Sequence, residues 1–265
     1  MMKVAAVQMV SGVDVARNIA RAQALVAQAA GQGAQLVLLP EYWAIMGQSD
    51  RDKVGVRETL GGGPIQDAMQ EMARRHGVWL AGGTLPLSCD DPGKVFNSTL
   101  VFNPAGERVA RYDKIHLFGF KKDNEAYDEA QTIVPGRDVA TVETPAGKTG
   151  LAVCYDLRFP ELFRAAGDVK LWLLSAAFTW TTGSKHWETL LRARAIENQC
   201  YVLASAQGGT HENGRRTWGH SMLIDPWGDI LACVEEGEGV AAGEFDLQRM
   251  AEVRSSLPAL QHRRL

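Results

Sequence analysis

Short apolar segments alternate along the chain with stretches of helical spacing, and this alternation limits the possible folds more than any other feature. Residues 36–39 read Leu-Val-Leu-Leu, and Pro40 stops the segment. A strand of this kind has no polar face to give to water, so both of its faces must be covered. The pattern therefore predicts an α/β fold in which helices lie over sheets.

The helices in the first third of the chain have recognisable ends. Asp14 can cap a helix whose apolar residues follow a helical repeat until Gly31. Pro64 stands at the start of a second helix, predicted over 64–76, and Gly77 follows it. The other predicted helices are 158–167, 184–198 and a short one capped by Asp246. The predicted strands between helices are 3–10, 35–40, 78–85, 170–175, 200–206 and 240–245.

Three other segments predict hairpins. The first joins FNSTLVF to ERVARYDKIHL through NPAG, the second is ATVETPAGKTGLAVCY, and the third turns at DPWG. Hairpins combined with alternating elements predict mixed sheets rather than a Rossmann fold or a parallel barrel. The number of strands favours two sheets stacked face to face with helices outside. No repeat or linker divides the chain, so we expect one domain over 1–265.

The composition excludes several classes of function. Apolar residues make up 46% and charged residues 22% of the chain, which leaves ample material for a core. The formal charge is −3 and basic residues are scattered, so we expect neither nucleic acid nor a membrane as partner. No segment has the length of a membrane span, and the N-terminal residues do not form a secretory signal. The expected location is the cytoplasm.

The chain has four widely spaced cysteines and no C-x-x-C pair, so neither a disulfide framework nor a zinc knuckle is predicted. Cys154 differs from the others because it ends the apolar segment TGLAV, at the position where active-site residues of open α/β sheets collect. A cysteine at a strand end is more often a small buried apolar residue. Here a turn begins at once, and its N–H groups, that of Tyr155 first, would favour a thiolate and an oxyanion. Cys89, Cys200 and Cys233 are interpreted as structural.

A nucleophilic thiol needs a base. The histidines His116, His186 and His220 are available, but none has a distinctive local setting. Glu41 directly follows the buried strand and is flanked by apolar and aromatic residues in LLPEYW. A carboxylate in that setting should be partly desolvated and suited to accept a proton, although a surface glutamate is the simpler alternative.

Lys114 lies within a strand pattern in RYDKIHLF. A lysine there either protects an edge strand from pairing or points inward as a cation. An inward lysine would require carboxylate partners.

The segments LLPEYW, RYDKIHLF and LAVCYDLRFPELF, in this order, resemble the three signatures of the carbon–nitrogen hydrolase (nitrilase) family. The resemblance continues through HWETLLRARAIENQCYV and GHSMLIDPWGDILA and so covers essentially the whole chain. It implies a four-layer αββα sandwich whose subunits pair through helices as a homodimer or a higher homo-oligomer. It also implies that no metal or organic cofactor is needed.

The resemblance assigns the catalytic roles to Glu41 as base, Lys114 as oxyanion cation and Cys154 as nucleophile. It implies a second glutamate before a Pro-Gly turn, which YDEAQTIVPG places at Glu129, with Glu125 as the competing position. The implied reaction is hydrolysis of the terminal carboxamide of a small carboxylate-bearing substrate to acid and ammonia through a cysteine thioester.

Arg158 follows the nucleophile by four residues and has two interpretations. It can pair with Asp156 or Glu161, or it can clamp a substrate carboxylate with two parallel hydrogen bonds. The resemblance favours the clamp and adds Phe178 and Thr182 as substrate-binding residues. Asp156 is then a structural support of the turn.

Within the family, CYDLRFPEL, LLRARAIENQCYV, GHSMLIDPWG and LPALQHRR resemble deaminated glutathione amidases most. The alternative is an ω-amidase acting on α-ketoglutaramate or α-ketosuccinamate. A different class also stays open, namely a catalytically silent member that serves as a binding or scaffold protein. The sequence leaves open the conformation of the loops 119–128 and 208–216, the second of which either rims the pocket or only connects.

Overall fold

Two mixed β-sheets lie face to face in the computed structural model, which describes residues 1–122 and 125–264. The first sheet has the order β17-β1-β2-β3-β5-β4, and β6 pairs with β5. Its strands are β1 (Met2–Gln8), β2 (Leu36–Leu38), β3 (Trp79–Ala81), β4 (Leu85–Ser88), β5 (Val95–Phe102), β6 (Arg108–Asp113) and β17 (Gly239–Phe245).

The second sheet has the order β16-β15-β12-β11-β10-β9. Its strands are β9 (Thr141–Thr144), β10 (Gly147–Val153), β11 (Leu171–Ala176), β12 (Tyr201–Ala206), β15 (Ser221–Ile224) and β16 (Ile230–Val234). Two small hairpins stand apart, β7 (Gly119–Lys122) with β8 (Glu125–Asp128), and β13 (Gly208–Thr210) with β14 (Arg216–Trp218). Each large sheet has a parallel centre, β1-β2-β3 or β10-β11-β12, and antiparallel flanks.

The α-helices are α1 (Val15–Gly31), α2 (Asp52–Gly55), α3 (Pro64–His76), α4 (Pro160–Ala165), α5 (Trp180–Asn198) and α6 (Leu247–Ser256). Short 3₁₀ helices cover Glu129–Gln131, Cys154–Arg158 and Ala259–His262. The predicted caps are confirmed, since Asp14 accepts from the Arg17 N–H and Asp246 from the Gln248 N–H. Among the described residues, no helix combines the length and the apolar character needed to cross a lipid bilayer.

Alternate residues of the first strand face different layers. Val4 and Ala6 pack with residues of the second sheet, whereas Ala5 and Val7 pack with residues of α1 and α3, and all four are fully buried. A strand with two apolar faces therefore lies between a helical layer and the second sheet. The predicted layering of two stacked sheets between helices is confirmed.

Three predicted boundaries were wrong in ways that bear on the site. β6 ends at Asp113, so Lys114 follows the strand instead of lying within it. The predicted helix 158–167 is divided, because Pro160 begins α4 after the 3₁₀ turn has ended. α5 begins at Trp180, four residues before the predicted start at 184.

The predicted strand 78–85 is also interrupted, and the cause is a close approach of two backbones. Gly83 has a φ of +51°, and a Cβ at this position would lie 2.0 Å from the Pro40 carbonyl oxygen. Only glycine allows the chain to pass this near to Pro40. This contact holds the end of β2, and with it the following Glu41, against the neighbouring loop.

Candidate active site

The site is built where strands of both sheets end. Glu41 follows β2 after a Leu-Pro pair, and Cys154 follows β10 directly. Residues 177 and 178 follow β11, the parallel neighbour of β10. Ends of parallel strands meet at one edge of a sheet, and stacking the two sheets brings both edges to one place.

Lys114 lies at the centre of the polar groups. Its side chain is fully buried, and its Nζ donates to Glu41 Oε1 at 2.9 Å and to Glu129 Oε1 at 2.9 Å. Burial alone lowers the pKa of this lysine, but attraction to Glu129 and then Glu41 outweighs burial, so the pKa is raised. Lys114 is therefore the inward cation with carboxylate partners, not an edge-strand residue.

Glu41 is 1% exposed and accepts hydrogen bonds at both oxygens. Besides the lysine, Asn97 Nδ2 donates to Oε1 at 2.9 Å and the Ala177 N–H donates to Oε2 at 2.8 Å. Three donors thus fix the direction of the carboxylate. The alternative of a surface glutamate is wrong.

Glu129 is also tightly held. Tyr42 donates its hydroxyl to Oε1 at 2.7 Å, and the Phe118 N–H donates to Oε2 at 2.7 Å. Burial raises the pKa of Glu129, but Lys114 outweighs it and the pKa is lowered. The side chain of the competing Glu125 lies outside the described residues.

Cys154 begins the 3₁₀ turn with a φ of +49°, in the left-handed region that residues other than glycine rarely adopt. Its side chain is buried, and burial together with repulsion from Glu41 raises the pKa of the thiol, although Lys114 acts in the opposite direction. The expectation that the turn would favour a thiolate is therefore wrong for the resting site. The thiol is held protonated beside a carboxylate that can take its proton.

Asp156 supports the turn, as predicted. It is fully buried and accepts from the Val153 N–H at 2.8 Å and the Tyr112 hydroxyl at 2.6 Å. Its other oxygen accepts from the N–H of His116 at 3.1 Å and contacts His116 Nδ1 at 2.7 Å. The residues on either side of Cys154 are therefore tied to the rest of the fold.

Arg158 projects into the pocket beside Cys154. Its guanidinium lies 5.2 Å from the Phe178 ring and 5.7 Å from the Tyr155 ring, and its NH1 lies 3.1 Å from His186 Nδ1. It forms no ion pair with any of the described side chains. Pairing with Asp156 or Glu161, the structural interpretation of this arginine, is therefore not observed.

The pocket has mixed walls and little free space. The residues that line it are Glu41, Phe118, Glu129, Cys154, Tyr155, Arg158, Ala177, Phe178, Thr179, Thr182 and Arg215. The space left between these walls, about 10 Å³, has room for about one water molecule. The three predicted binding residues, Arg158, Phe178 and Thr182, all line it.

Four residues of the site were missed in the sequence. Tyr42 and Asn97 bind the two glutamates, the Ala177 N–H binds Glu41, and Arg215 lines the pocket. Asn97 carried a weak signal, because it begins a short polar run, Asn97–Thr99, inside a strand with apolar ends. Arg215 carried none, since GGTHENGRR reads as a polar loop.

Other charged residues lie elsewhere. Arg194 donates to the Leu157 carbonyl and to Glu197, so its role is structural. Within the part of the chain that the structure describes, no three His, Cys, Asp or Glu side chains gather as metal ligands would.

Comparisons with known proteins give a consistent result. The Carbon-nitrogen hydrolase family model matches residues 3–255. The deaminated glutathione amidase of Yersinia enterocolitica is 41% identical over 266 residues, which cover 98% of this chain and 92% of that protein. The omega-amidase NIT2 of Danio rerio is 36% identical over 257 residues, which cover 94% of this chain and 90% of that protein. A solved structure also matches, that of Saccharomyces cerevisiae Nit3, a member of branch 10 of the nitrilase superfamily, with a TM-score of 0.89 and 30% identity. The match covers 100% of this chain and 97% of that chain.

Proposed function

The chain belongs to the carbon–nitrogen hydrolase family, and from this premise we propose that it is an amidase that cleaves keto-acid amides through a thioester on Cys154. The observation that carries the proposal is the buried Lys114 ammonium, which donates to Glu41 and to Glu129 beside the only cysteine of the pocket lining. Base, cation and nucleophile come from distant parts of the chain and meet at one small cavity.

The first half of the proposed reaction forms the thioester. Glu41 takes the proton of the Cys154 thiol, and the sulfur attacks the amide carbon of the substrate. The Lys114 ammonium and the Tyr155 N–H stabilise the oxyanion, and one such donor contributes roughly 2.7–4 kcal/mol to the transition state. Glu41 then returns the proton to the departing nitrogen, and the C–N bond breaks.

The second half releases the acid. Water replaces the departed amine, and Glu41 takes one of its protons as the oxygen attacks the thioester carbon. The C–S bond breaks, and the proton on Glu41 returns to the sulfur. Glu129, held by Tyr42 and the Phe118 N–H, keeps Lys114 charged and oriented throughout.

Arg158 is proposed to bind the carboxylate of the acyl part, with Phe178 and Thr182 forming the adjoining wall. The guanidinium lies in the pocket with no ion pair among the described side chains, so a substrate carboxylate would be its first anionic partner. Because the pocket has little free space, its walls must move apart when substrate enters. The same arginine serves both candidate substrates, since deaminated glutathione and α-ketoglutaramate share one keto-acid acyl group.

Deaminated glutathione is the proposed substrate, and α-ketoglutaramate or α-ketosuccinamate is the alternative. Glutathione is a tripeptide, so the amide next to its keto-acid part releases an amine, cysteinylglycine. Ammonia leaves only from a primary amide such as α-ketoglutaramate, so the expected release of ammonia from a terminal carboxamide applies to the alternative substrates and not to deaminated glutathione. The relatives from Yersinia enterocolitica and Danio rerio support one candidate each.

The experiment compares kcat/KM for the two substrates through the product they share, 2-oxoglutarate. We expect the larger value with deaminated glutathione. A larger value with α-ketoglutaramate favours the ω-amidase alternative. Turnover of neither, with Cys154 unreactive toward iodoacetamide, favours the silent scaffold protein.

We also propose a homodimer or a higher homo-oligomer in the cytoplasm. Exposed apolar residues at one end of α5 support the oligomer, because Ile196 is 47% exposed and Trp227 on the adjacent turn is 51% exposed. The four cysteines, all of them free thiols, fit a reducing compartment. Size-exclusion chromatography with light scattering tests the oligomer, and a monomer at micromolar concentration would contradict it.

A further inference from the structure

We infer that Arg215 binds the carboxylate of the departing amine and thereby selects substrates whose leaving group is acidic. The inference rests on the proposed function and deepens it, because it names the feature that separates deaminated glutathione from primary keto-amides. Cysteinylglycine carries a free carboxylate, whereas ammonia carries none.

The first observation is an unmatched charge. Arg215 lines the same pocket as Cys154, yet its side chain forms no ion pair with any side chain that the structure describes. Its Nε is buried and has no hydrogen-bond partner in that part of the chain. A buried donor on a cation without a partner is costly and rare in folded proteins, so a missing ligand is the simplest explanation.

The charges of the pocket lead to the same conclusion. Lys114 is matched by two carboxylates, those of Glu41 and Glu129. Arg158 and Arg215 have no matching carboxylate among the described residues. A substrate with one carboxylate on each side of the scissile amide would neutralise both arginines.

The two arginines lie over different aromatic rings of the site. Arg215 stacks on the Tyr127 ring at 4.9 Å, and the Tyr127 ring lies 5.7 Å from that of Phe118. Phe118 in turn lies 5.2 Å from the ring of Tyr155, over which Arg158 is placed at 5.7 Å. Three rings thus lie in contact between one guanidinium and the other, and we assign one carboxylate to each guanidinium once the walls have moved apart.

The position of the base decides which end belongs to the leaving group. Glu41 must give its proton to the departing nitrogen, so the leaving group extends on the side of Glu41. Arg215 lines the same pocket as Glu41. Burial lowers the pKa of its guanidinium, but attraction to nearby groups, the Glu41 carboxylate among them, outweighs burial and raises the pKa. Arg215 therefore lies on the side where the amine departs, whereas Arg158 lies beside the nucleophile turn.

A purely structural role makes a different prediction. If Arg215 only holds the β7–β8 hairpin by stacking on Tyr127, its loss harms every substrate alike. If it binds the leaving carboxylate, its loss changes the selectivity. The ratio of kcat/KM for deaminated glutathione to kcat/KM for α-ketoglutaramate separates the two roles.

The test uses Arg215→Gln with Arg216→Gln as its matched control. Arg216 is the next residue, lies over the Trp180 ring at 3.2 Å, and does not line the pocket. We expect the ratio to fall about 10- to 100-fold in Arg215→Gln, the range for one lost hydrogen bond to a charged group, and to stay at the wild-type value in Arg216→Gln.

The first comparison of a second arm uses the wild-type enzyme and so does not depend on the folding of a variant. Deaminated glutathione whose glycine carboxylate is converted to the amide should lose the same factor with the wild-type enzyme, and Arg215→Gln should no longer distinguish acid from amide. An unchanged ratio, or an equal loss on both substrates, overturns the inference. Turnover of neither substrate by the wild-type enzyme overturns the proposed function instead.

Discussion

The substitution Asp156→Asn tests how the fold holds the nucleophile in its strained conformation. An aspartate accepts at two oxygens, and here each oxygen receives a backbone N–H, that of Val153 or that of His116. Asparagine has a single acceptor oxygen, so one of the two backbone donors must face an NH₂ group. Because Asp156 is fully buried, no water can take the place of the lost acceptor.

The expected cost follows from these contacts. One buried donor without a partner costs about 1–3 kcal/mol, and each of two remaining bonds loses about 1 kcal/mol when the acceptor becomes neutral. The free energy of unfolding should therefore fall by about 3–5 kcal/mol. The turnover number should fall as well, because the Val153 anchor is adjacent to Cys154 with its φ of +49°.

Urea denaturation followed by tryptophan fluorescence, at one fixed protein concentration, measures the stability, and 2-oxoglutarate release measures kcat. Asp138→Asn is the matched control, because Asp138 is exposed and should change the free energy of unfolding by less than about 0.5 kcal/mol. An Asp156→Asn variant within about 1 kcal/mol of wild type, with unchanged kcat, would refute the reasoning.

Three further predictions concern the charges of the pocket. Arg158→Gln should lower kcat/KM about 10- to 100-fold for carboxylate-bearing amides and far less for simple neutral amides, and equal losses would count against the clamp. The pKa of Glu129 is lower in the folded than in the unfolded protein, where it is about 4.3, so ionised Glu129 stabilises the fold above that pH. This stability is lost as the pH falls through the folded pKa, so in Glu129→Gln the free energy of unfolding should depend less on pH in the acid range. Glu41→Gln should lower kcat about 10²- to 10⁴-fold, because the general base is lost. It should also shift the pH dependence of Cys154 alkylation by iodoacetamide to lower pH, because repulsion from Glu41 helps to raise the pKa of the thiol. An unchanged alkylation profile would contradict that electrostatic account.

Much of the fold could be predicted because local signals and tertiary structure agree. Asp14 caps α1 and Pro64 begins α3, as their positions before apolar helical repeats indicated. The predicted ends of strands and helices were wrong where tertiary contacts override local preference. The strand pattern ran past Lys114, but the lysine leaves β6 to reach two carboxylates that are distant along the chain.

Residues of the site could be predicted where neighbouring residues in the sequence carry the signal. Glu41 and Cys154 each directly follow an apolar strand, and a strand end is where a reactive group can be buried and still reach a pocket. Contacts between residues that come from different sheets leave no pattern in the local sequence. The raised pKa of Cys154 depends on its burial beside Glu41. The unmatched charge of Arg215 depends on the absence of a described partner for its guanidinium, and the sequence shows neither. The single domain and the catalytic roles stay predictions.

The acyl-enzyme itself gives the most direct test of the central claim. Deaminated glutathione and α-ketoglutaramate should, after rapid acid quench and mass spectrometry, leave the same 2-oxoglutaryl group on the same residue, Cys154. The Cys154→Ala variant should carry no such group and release no product. An adduct on Cys89, Cys200 or Cys233, or continued turnover by Cys154→Ala, would contradict the account.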